Sequence, residues 1–330
     1  METAPGVPAY ALADCRPPPR RPAWTAPTPP HCVGTNVGDY AYYAGPGPGH
    51  RRLPRPRGLS DHERTTARQR SVMNTSRRAV LGAALGGAAA AVVPATGAHA
   101  ASWQLKWSPS ARSDGLGAFE TVEDDRADSH PAGHPHIYAT GDNWRFTMHK
   151  VDRDTSDDRQ RQEVTGLRTS GSSYLKWTEG QTWRITYSMY IPSSLKATTT
   201  FTHIMQMKQP GAGSSPIVVQ SLRRVDGRQT IELKIVEGDV LVGRADLEPL
   251  HDKWTDVDFQ IKIGNGSAGS VRWILKSGST TVLDKSKTGD TFLADRVRPK
   301  WGIYRSLGDT SGSLQDTYLL LTNLRGYQLL

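Results

Sequence analysis

From about residue 101 onward, apolar and polar residues alternate with period two, the spacing that separates the two faces of a β-strand. Trp183-Arg184-Ile185-Thr186-Tyr187-Ser188-Met189-Tyr190-Ile191 places a large apolar residue at every second position. Residues 255–263 repeat the pattern, with Val257, Phe259, Ile261 and Ile263 directed to a core and Asp256, Asp258, Gln260 and Lys262 to water. Further strands are predicted at 217–223, 230–236, 271–276, 300–305 and 317–328. Asp226-Gly227, Glu237-Gly238-Asp239, Gly264-Asn265-Gly266 and Ser277-Gly278 supply turns between runs. The pattern contains no long amphipathic helix and no internal repeat. Many short antiparallel strands with one polar face predict an all-β sandwich or jelly roll.

The first hundred residues have another composition. They hold 14 of the 22 prolines and 12 arginines but no lysine, against 5 acidic residues. Stretches such as Arg16-Pro17-Pro18-Pro19-Arg20-Arg21-Pro22 cannot bury enough apolar surface to fold. Residues 1–72 are therefore expected to be a disordered extension, or sequence upstream of the true start. Met73 opens what looks like that start. Ser76-Arg77-Arg78, an Ala/Gly/Val-rich run to Val93 and the small-residue site Ala98-His99-Ala100 follow in the order of a secretory signal, with paired arginines of the twin-arginine type. The run is broken by Pro94 and matches a membrane span poorly. Residues 73–100 are thus expected to be a signal peptide and 101–330 a secreted domain with no membrane attachment after cleavage. Both cysteines, Cys15 and Cys32, lie upstream of Met73, so that domain gains nothing from disulfides and must rest on its core.

Charge changes the picture only when divided in the same way. The whole chain carries a formal +9, the signature of a nucleic-acid binder. The part after residue 100 holds 29 basic and 27 acidic residues and is nearly neutral, which excludes that partner.

The chemistry concentrates near the C-terminus. In Arg298-Pro299-Lys300-Trp301-Gly302-Ile303-Tyr304-Arg305-Ser306, alternation puts Lys300, Gly302, Tyr304 and Ser306 on one face and Trp301, Ile303 and Arg305 on the other. A phenol beside an ammonium suits acid/base work on an acidic substrate, because a free phenol titrates near ~10 and needs cations to favour phenolate. Arg159-Gln160-Arg161-Gln162-Glu163 places Arg159, Arg161 and Glu163 on one face of another strand. In Phe201-Thr202-His203-Ile204-Met205-Gln206-Met207-Lys208-Gln209, Gln206 and Lys208 share the polar face. His203 falls with Phe201, Met205 and Met207 on the core side unless a bulge shifts the register by one. His130, His134 and His136 are separated by proline and glycine with no matching carboxylate cluster in view, and read as a loop rather than a metal site.

These three segments, taken in chain order, resemble motifs of the jelly-roll polysaccharide lyases of the heparin lyase I-like group, which is similar to the glucuronan lyases and more distantly to alginate lyases. The resemblance implies a concanavalin A-like sandwich and β-elimination on a 4-linked uronic acid polymer, most of all a glucuronan. That reaction needs the C6 carboxylate neutralised, the C5 proton removed and the C4 oxygen protonated. Tyr304 is then expected as the base and as the acid, His203 as the alternative base, and Gln206 and Arg161 as holders of the carboxylate. Lys300 would tune Tyr304 or contact the leaving sugar, and Arg159, Lys208 and Arg305 would line the groove. The chemistry requires no organic cofactor. Related lyases hold a structural calcium, for which no ligands can be named from sequence. The expected partner is an acidic polysaccharide met by a monomer. Two rivals keep the same sandwich. A carbohydrate-binding or lectin-like module would need no acid/base pair, and a glycoside hydrolase would need two carboxylates on one face. Glu232 and Glu237 differ by an odd number and cannot supply them from a regular strand.

Overall fold

The computed structural model describes residues 101–130, 135–211 and 213–330. The extension at 1–72, the signal-like segment at 73–100 and His134 lie outside the described residues.

Two large antiparallel sheets pack face to face as a β-sandwich of the jelly-roll class. Numbered in chain order, the first runs β15 (Thr280–Thr288), β14 (Ser270–Ser277), β13 (Trp254–Lys262), β8 (Thr182–Tyr190), β17 (Thr317–Leu329), β4 (Asn143–Met148) and β3 (Ile137–Thr140), with β1 (Trp103–Trp107) also paired to β17. The second runs β12 (Val240–Asp246), β11 (Arg228–Ile235), β10 (Val218–Val225), β9 (Thr202–Lys208), β16 (Arg298–Ser306), β5 (Arg159–Thr165) and β2 (Thr121–Glu123). A short hairpin of β6 (Arg168–Ser170) and β7 (Ser173–Tyr174) stands apart from both.

The alternation expected from sequence sets the core. On β13, Val257, Phe259 and Ile261 are buried while Asp256 and Lys262 are exposed. On β8, Trp183, Ile185, Tyr187 and Met189 point inward. Between the sheets Trp107 stacks on Trp301 with centroids 6.1 Å apart, and Phe119 meets both Trp301 and Trp144. Asp226 and Gly227 join β10 to β11 with φ of 50° and 78°, the pair of left-handed residues that a two-residue hairpin turn requires. Among the described residues no helix is long and apolar enough to cross a membrane.

The two outer faces differ. The outer face of the β13–β14 region is solvated, as an ordinary strand surface should be. The outer face of the second sheet is not. Its outward-pointing Glu163, Gln206, Lys300, Glu232 and Tyr304 are all less than 9% exposed. Polar side chains pointing away from a core yet hidden from water form the floor of a recess.

Candidate active site

Strand pairing places the candidate residues in two cross-strand rows on that floor. One row runs Arg244, Glu232, Ser221, His203, Tyr304, Arg161 across β12, β11, β10, β9, β16 and β5. The next runs Lys234, Val219, Gln206, Lys300, Thr165. His203 and Gln206 are three residues apart and would face opposite sides of a regular strand. They share a face because the register of β9 against β10 shifts between His203 and Met205. A second shift, in β16 between Trp301 and Tyr304, keeps Tyr304 opposite His203. Gly302 sits at this shift with φ of 141°, in a region closed to residues with a Cβ.

Tyr304 is the centre of the constellation. Its hydroxyl oxygen accepts from Arg159 Nη1 at 2.7 Å, and the Arg161 guanidinium lies 3.8 Å from its ring centroid. Phe201 packs against it at 5.1 Å and stacks on His203 at 4.7 Å. Burial raises the Tyr304 pKa above the ordinary phenol value, and the two arginines offset only part of that shift. At neutral pH the resting residue is a phenol.

His203 meets Ser221 Oγ through Nδ1 at 2.7 Å. Desolvation, with Arg223 and Arg161 adding repulsion, pulls its pKa down to about 3, so the ring is uncharged at any working pH. This has a consequence for stability. Above pH ~6.5 the ring is neutral in both folded and unfolded chains and contributes no pH dependence. Below it, the unfolded chain takes up a proton that the fold excludes, so stability falls as pH drops from ~6.5 toward ~3, at up to about 1.4 kcal/mol per unit from this residue. Urea unfolding at a series of pH values should show the decline, and His203→Gln should flatten its upper part, between pH ~6.5 and ~4.5, before the carboxylates protonate.

An ion-pair network holds the rest. The buried Glu163 carboxylate accepts from Gln206 Nε2 at 2.6 Å and Arg161 Nη1 at 2.9 Å and faces Lys300 Nζ at 3.1 Å. Lys300 donates to Glu123 at 2.5 Å. Asp154 accepts from Arg161 Nε at 2.8 Å and from Arg126 at 2.5 Å, and Arg126 also reaches Glu123 at 3.0 Å. Three carboxylates face three cations, so this part of the floor is already neutral. Burial opposes the charged form of Glu163, but Lys300 and Arg161 outweigh it and hold its pKa below the usual carboxylate range.

Three sequence expectations need correction. Lys300 does not tune Tyr304: its ammonium is committed to Glu123 and Glu163, and the cations on Tyr304 are Arg159 and Arg161. Arg305 does not line the recess. It points between the sheets, 1% exposed, donating to Gln160 Oε1 at 2.5 Å and to the Gln315 carbonyl at 3.0 Å, as strand alternation from Tyr304 dictates. His203 leaves the core side on which simple alternation put it. Lys208 does stand at the recess, bound to the Ser214 carbonyl and to Ser214 Oγ at 3.0 Å, with no carboxylate partner among the described residues. Burial, reinforced by Lys300 and Arg161, lowers its pKa to about 8. Glu123, Arg126, Asp154 and Ser221 belong to the site and were not found in the sequence, where nothing local distinguishes them from surface residues. Glu163 was visible only as the third residue on the Arg159/Arg161 face.

A sandwich whose hidden outer face carries a cation-bound tyrosine beside a neutral histidine is a scaffold for proton transfer on a polar, extended ligand. Residues 110–320 match the family model described as polysaccharide lyase, and the chain belongs to that family. It is a lyase acting on polysaccharides. Solved structures similar to it include alginate lyase AlgAT5 from Polysaccharide Lyase family 7, with 14% identity over 59% of this chain and 83% of that one at a TM-score of 0.39. The alginate lyase from Klebsiella pneumoniae shares 13% identity over 56% of this chain and 81% of its own, with a TM-score of 0.39. The endo-beta-1,4-glucuronan lyase from the fungus Trichoderma reesei shares 13% over 67% and 90%, with a TM-score of 0.38. No curated protein sequence matches the chain.

Proposed function

We propose that the enzyme cleaves a 4-linked uronic acid polymer, a glucuronan, by β-elimination, with Tyr304 moving the proton. The observation that carries this is the Tyr304 hydroxyl, held by Arg159 at 2.7 Å on the floor of the recess. Phenolate formed there is stabilised by a hydrogen bond from a cation and by Arg161 against the ring. Lys208 and the Nη2 of Arg161, which no described side chain engages, receive the substrate carboxylate, with Gln206 beside them. Neutralising that carboxylate stabilises charge as it develops at C5. Tyr304 takes the C5 proton, the C4–C5 double bond forms as the C4–O bond breaks, and the phenol returns the proton to the leaving oxygen. One residue serves both steps because the C5 hydrogen and C4 oxygen of glucuronic acid lie on the same side of the ring.

A floor whose acids and bases largely cancel suits one carboxylate per sugar better than dense sulfation, which disfavours heparin. Hydrolysis is disfavoured as well. Glu163 and Asp154 are held below the ordinary carboxylate pKa, so neither is poised as a protonated general acid, and the Glu232 carboxylate is engaged by Arg244 at 2.6 Å. The signal-like segment at 73–100 supports action outside the cell after twin-arginine export, and the domain is proposed to work as a monomer whose chemistry requires no organic cofactor.

Mixing the protein with glucuronan, alginate, heparin and pectate while following ultraviolet absorbance tests this directly. Elimination creates a conjugated unsaturated uronate and hydrolysis does not. A rise with glucuronan is expected; retention of a polymer without any rise would overturn the lyase assignment for this site.

Because Tyr304 rests protonated and His203 rests neutral, a second arrangement has His203 as base and Tyr304 as acid. The pH profile separates the two. Both need Lys208 as an ammonium, and kcat/KM reports the free enzyme. With phenolate as base, kcat/KM should climb tenfold per pH unit up to about 8, where loss of the Lys208 proton cancels the gain and a plateau begins. With His203 as base it should be flat below about 8 and fall above it. We expect the first, and Lys208→Arg should extend the climb beyond about 8.

A further inference from the structure

We infer that the protein carries a four-coordinate transition-metal site, of the zinc class, built from His130, His136, His149 and Asp152 and separate from the acid/base residues. The ligand atoms come from two crossings between the sheets: His130 and His136 from the connection between β2 and β3, His149 and Asp152 from that between β4 and β5. One donor atom from each residue lies within 4.8 Å of every other. The buried Asp152 carboxylate is 3.2 Å from His130 Nδ1, 3.3 Å from His136 Nε2 and 3.4 Å from His149 Nδ1. A tetrahedral ion with bonds of ~2.0–2.1 Å separates its ligand atoms by about 3.3–3.4 Å.

The hydrogen-bond pattern points the same way. His136 is 3% exposed, and its Nδ1 meets Asp124 Oδ1 at 3.1 Å. Its Nε2 lies 3.3 Å from an Asp152 oxygen, and the two make no hydrogen bond. His149 Nδ1 is likewise buried, near Asp152 and unbonded. Buried polar atoms left without hydrogen-bond partners are costly, and a cation bound between them satisfies them together. A dication there is balanced by Asp152 and, through His136, by Asp124, the carboxylate–histidine–metal arrangement that orients metal-bound imidazoles. Three imidazoles and one carboxylate fit zinc, cobalt or nickel and do not fit calcium, which takes oxygen donors. The donor set therefore differs from that of a calcium site, and on this proposal His130 and His136 act as ligands carried by a loop.

The place of the site in the fold gives it a purpose. Gln160, between the two arginines of β5, donates to the carbonyls of His149, Lys150 and Asp152 at 3.0, 3.0 and 2.8 Å, and its own oxygen accepts from Arg305, the neighbour of Tyr304. Two residues beyond Asp152, Asp154 holds Arg161. The metal staples the two connections from which Arg161 is aimed.

The full-length protein, stripped with a chelator and dialysed, should bind one equivalent of Co2+ with the intense visible absorption of tetrahedral cobalt, and Zn2+ should displace it. His130→Gln and His149→Gln, at the more accessible positions, should each weaken Zn2+ binding more than ~100-fold, and Asp124→Asn should weaken it ~10–100-fold while keeping the cobalt spectrum. Zn2+ should raise the melting temperature of the wild type and leave that of His149→Gln unmoved. Absence of a stoichiometric tetrahedral cobalt spectrum, or unchanged Zn2+ affinity in both histidine variants, would overturn the site.

Discussion

Replacing Tyr304 with Phe should cut kcat/KM on the cleaved polymer by at least ~10³-fold while leaving polymer affinity within a few-fold of wild type. A positioned acid or base contributes ~10²–10⁴ each time it acts, and here one hydroxyl acts twice in a turnover. The substitution is structurally mild. Phenylalanine keeps the contacts with Phe201 at 5.1 Å and with the Arg161 guanidinium at 3.8 Å. The one hydrogen bond lost among the described residues comes from Arg159, which retains its paired contacts with Asp158 at 2.6 and 2.8 Å. The folding stability should change by no more than about 1 kcal/mol. Loss of turnover therefore reports chemistry rather than collapse. Initial rates by ultraviolet absorbance beside equilibrium binding to the same polymer make the comparison. Retained turnover would remove Tyr304 from the mechanism, and the alternative base His203 would have to act with another acid.

Much of the sandwich was legible because a strand half-buried in a two-sheet core must alternate. Val257, Phe259 and Ile261 needed only that rule, and the expected strands at 217–223, 230–236 and 271–276 agree with β10, β11 and β14 within two residues at each end. Short strands such as β2 and β3 carry too few residues for a period to emerge. The site was legible in part. Lys300 and Tyr304 share one strand face by counting alone, as Arg159 and Arg161 do on another strand, yet counting does not reveal that Lys300 is neutralised by Glu123, 177 residues earlier in the chain. The same limit hid the metal set, since His149 and Asp152 look like turn residues until the fold brings His130 and His136 beside them. His203 was undecidable because a bulge is a matter of pairing between strands, and its own sequence of Phe, Thr, Ile and Met is compatible with either register. Arg305 was misjudged through its charge: on an inward position an arginine persists when its fork is filled, as it is by Gln160 and the Gln315 carbonyl.

Gly302→Ala should be the most damaging single-atom addition in the catalytic strand. At φ of 141° an alanine is strained before any contact is counted, at about 1–3 kcal/mol. A Cβ built there would stand 2.0 Å from the Gln162 carbonyl oxygen and 2.8 Å from Glu163 Cα, both backbone atoms of β5 that cannot rotate away. Relieving such overlap costs about 1–3 kcal/mol more in a packed region. The expected total of about 2–6 kcal/mol lowers the melting temperature of a domain this size by roughly 5–20 °C. The damage to function should exceed what lost stability explains, because the strand can relieve the clash only by moving away from β5 or by giving up its register shift against β9. The first parts Tyr304 from Arg159 and Arg161, and the second turns its hydroxyl away from His203. Either change withdraws the groups that make phenolate accessible, so the climb of kcat/KM toward pH about 8 should be displaced even at temperatures where the variant is fully folded. Calorimetry together with a pH profile on the folded variant would show both effects. A variant with wild-type melting temperature and wild-type profile would mean that Gly302 is not what sets the angle of Tyr304 on the floor of the recess.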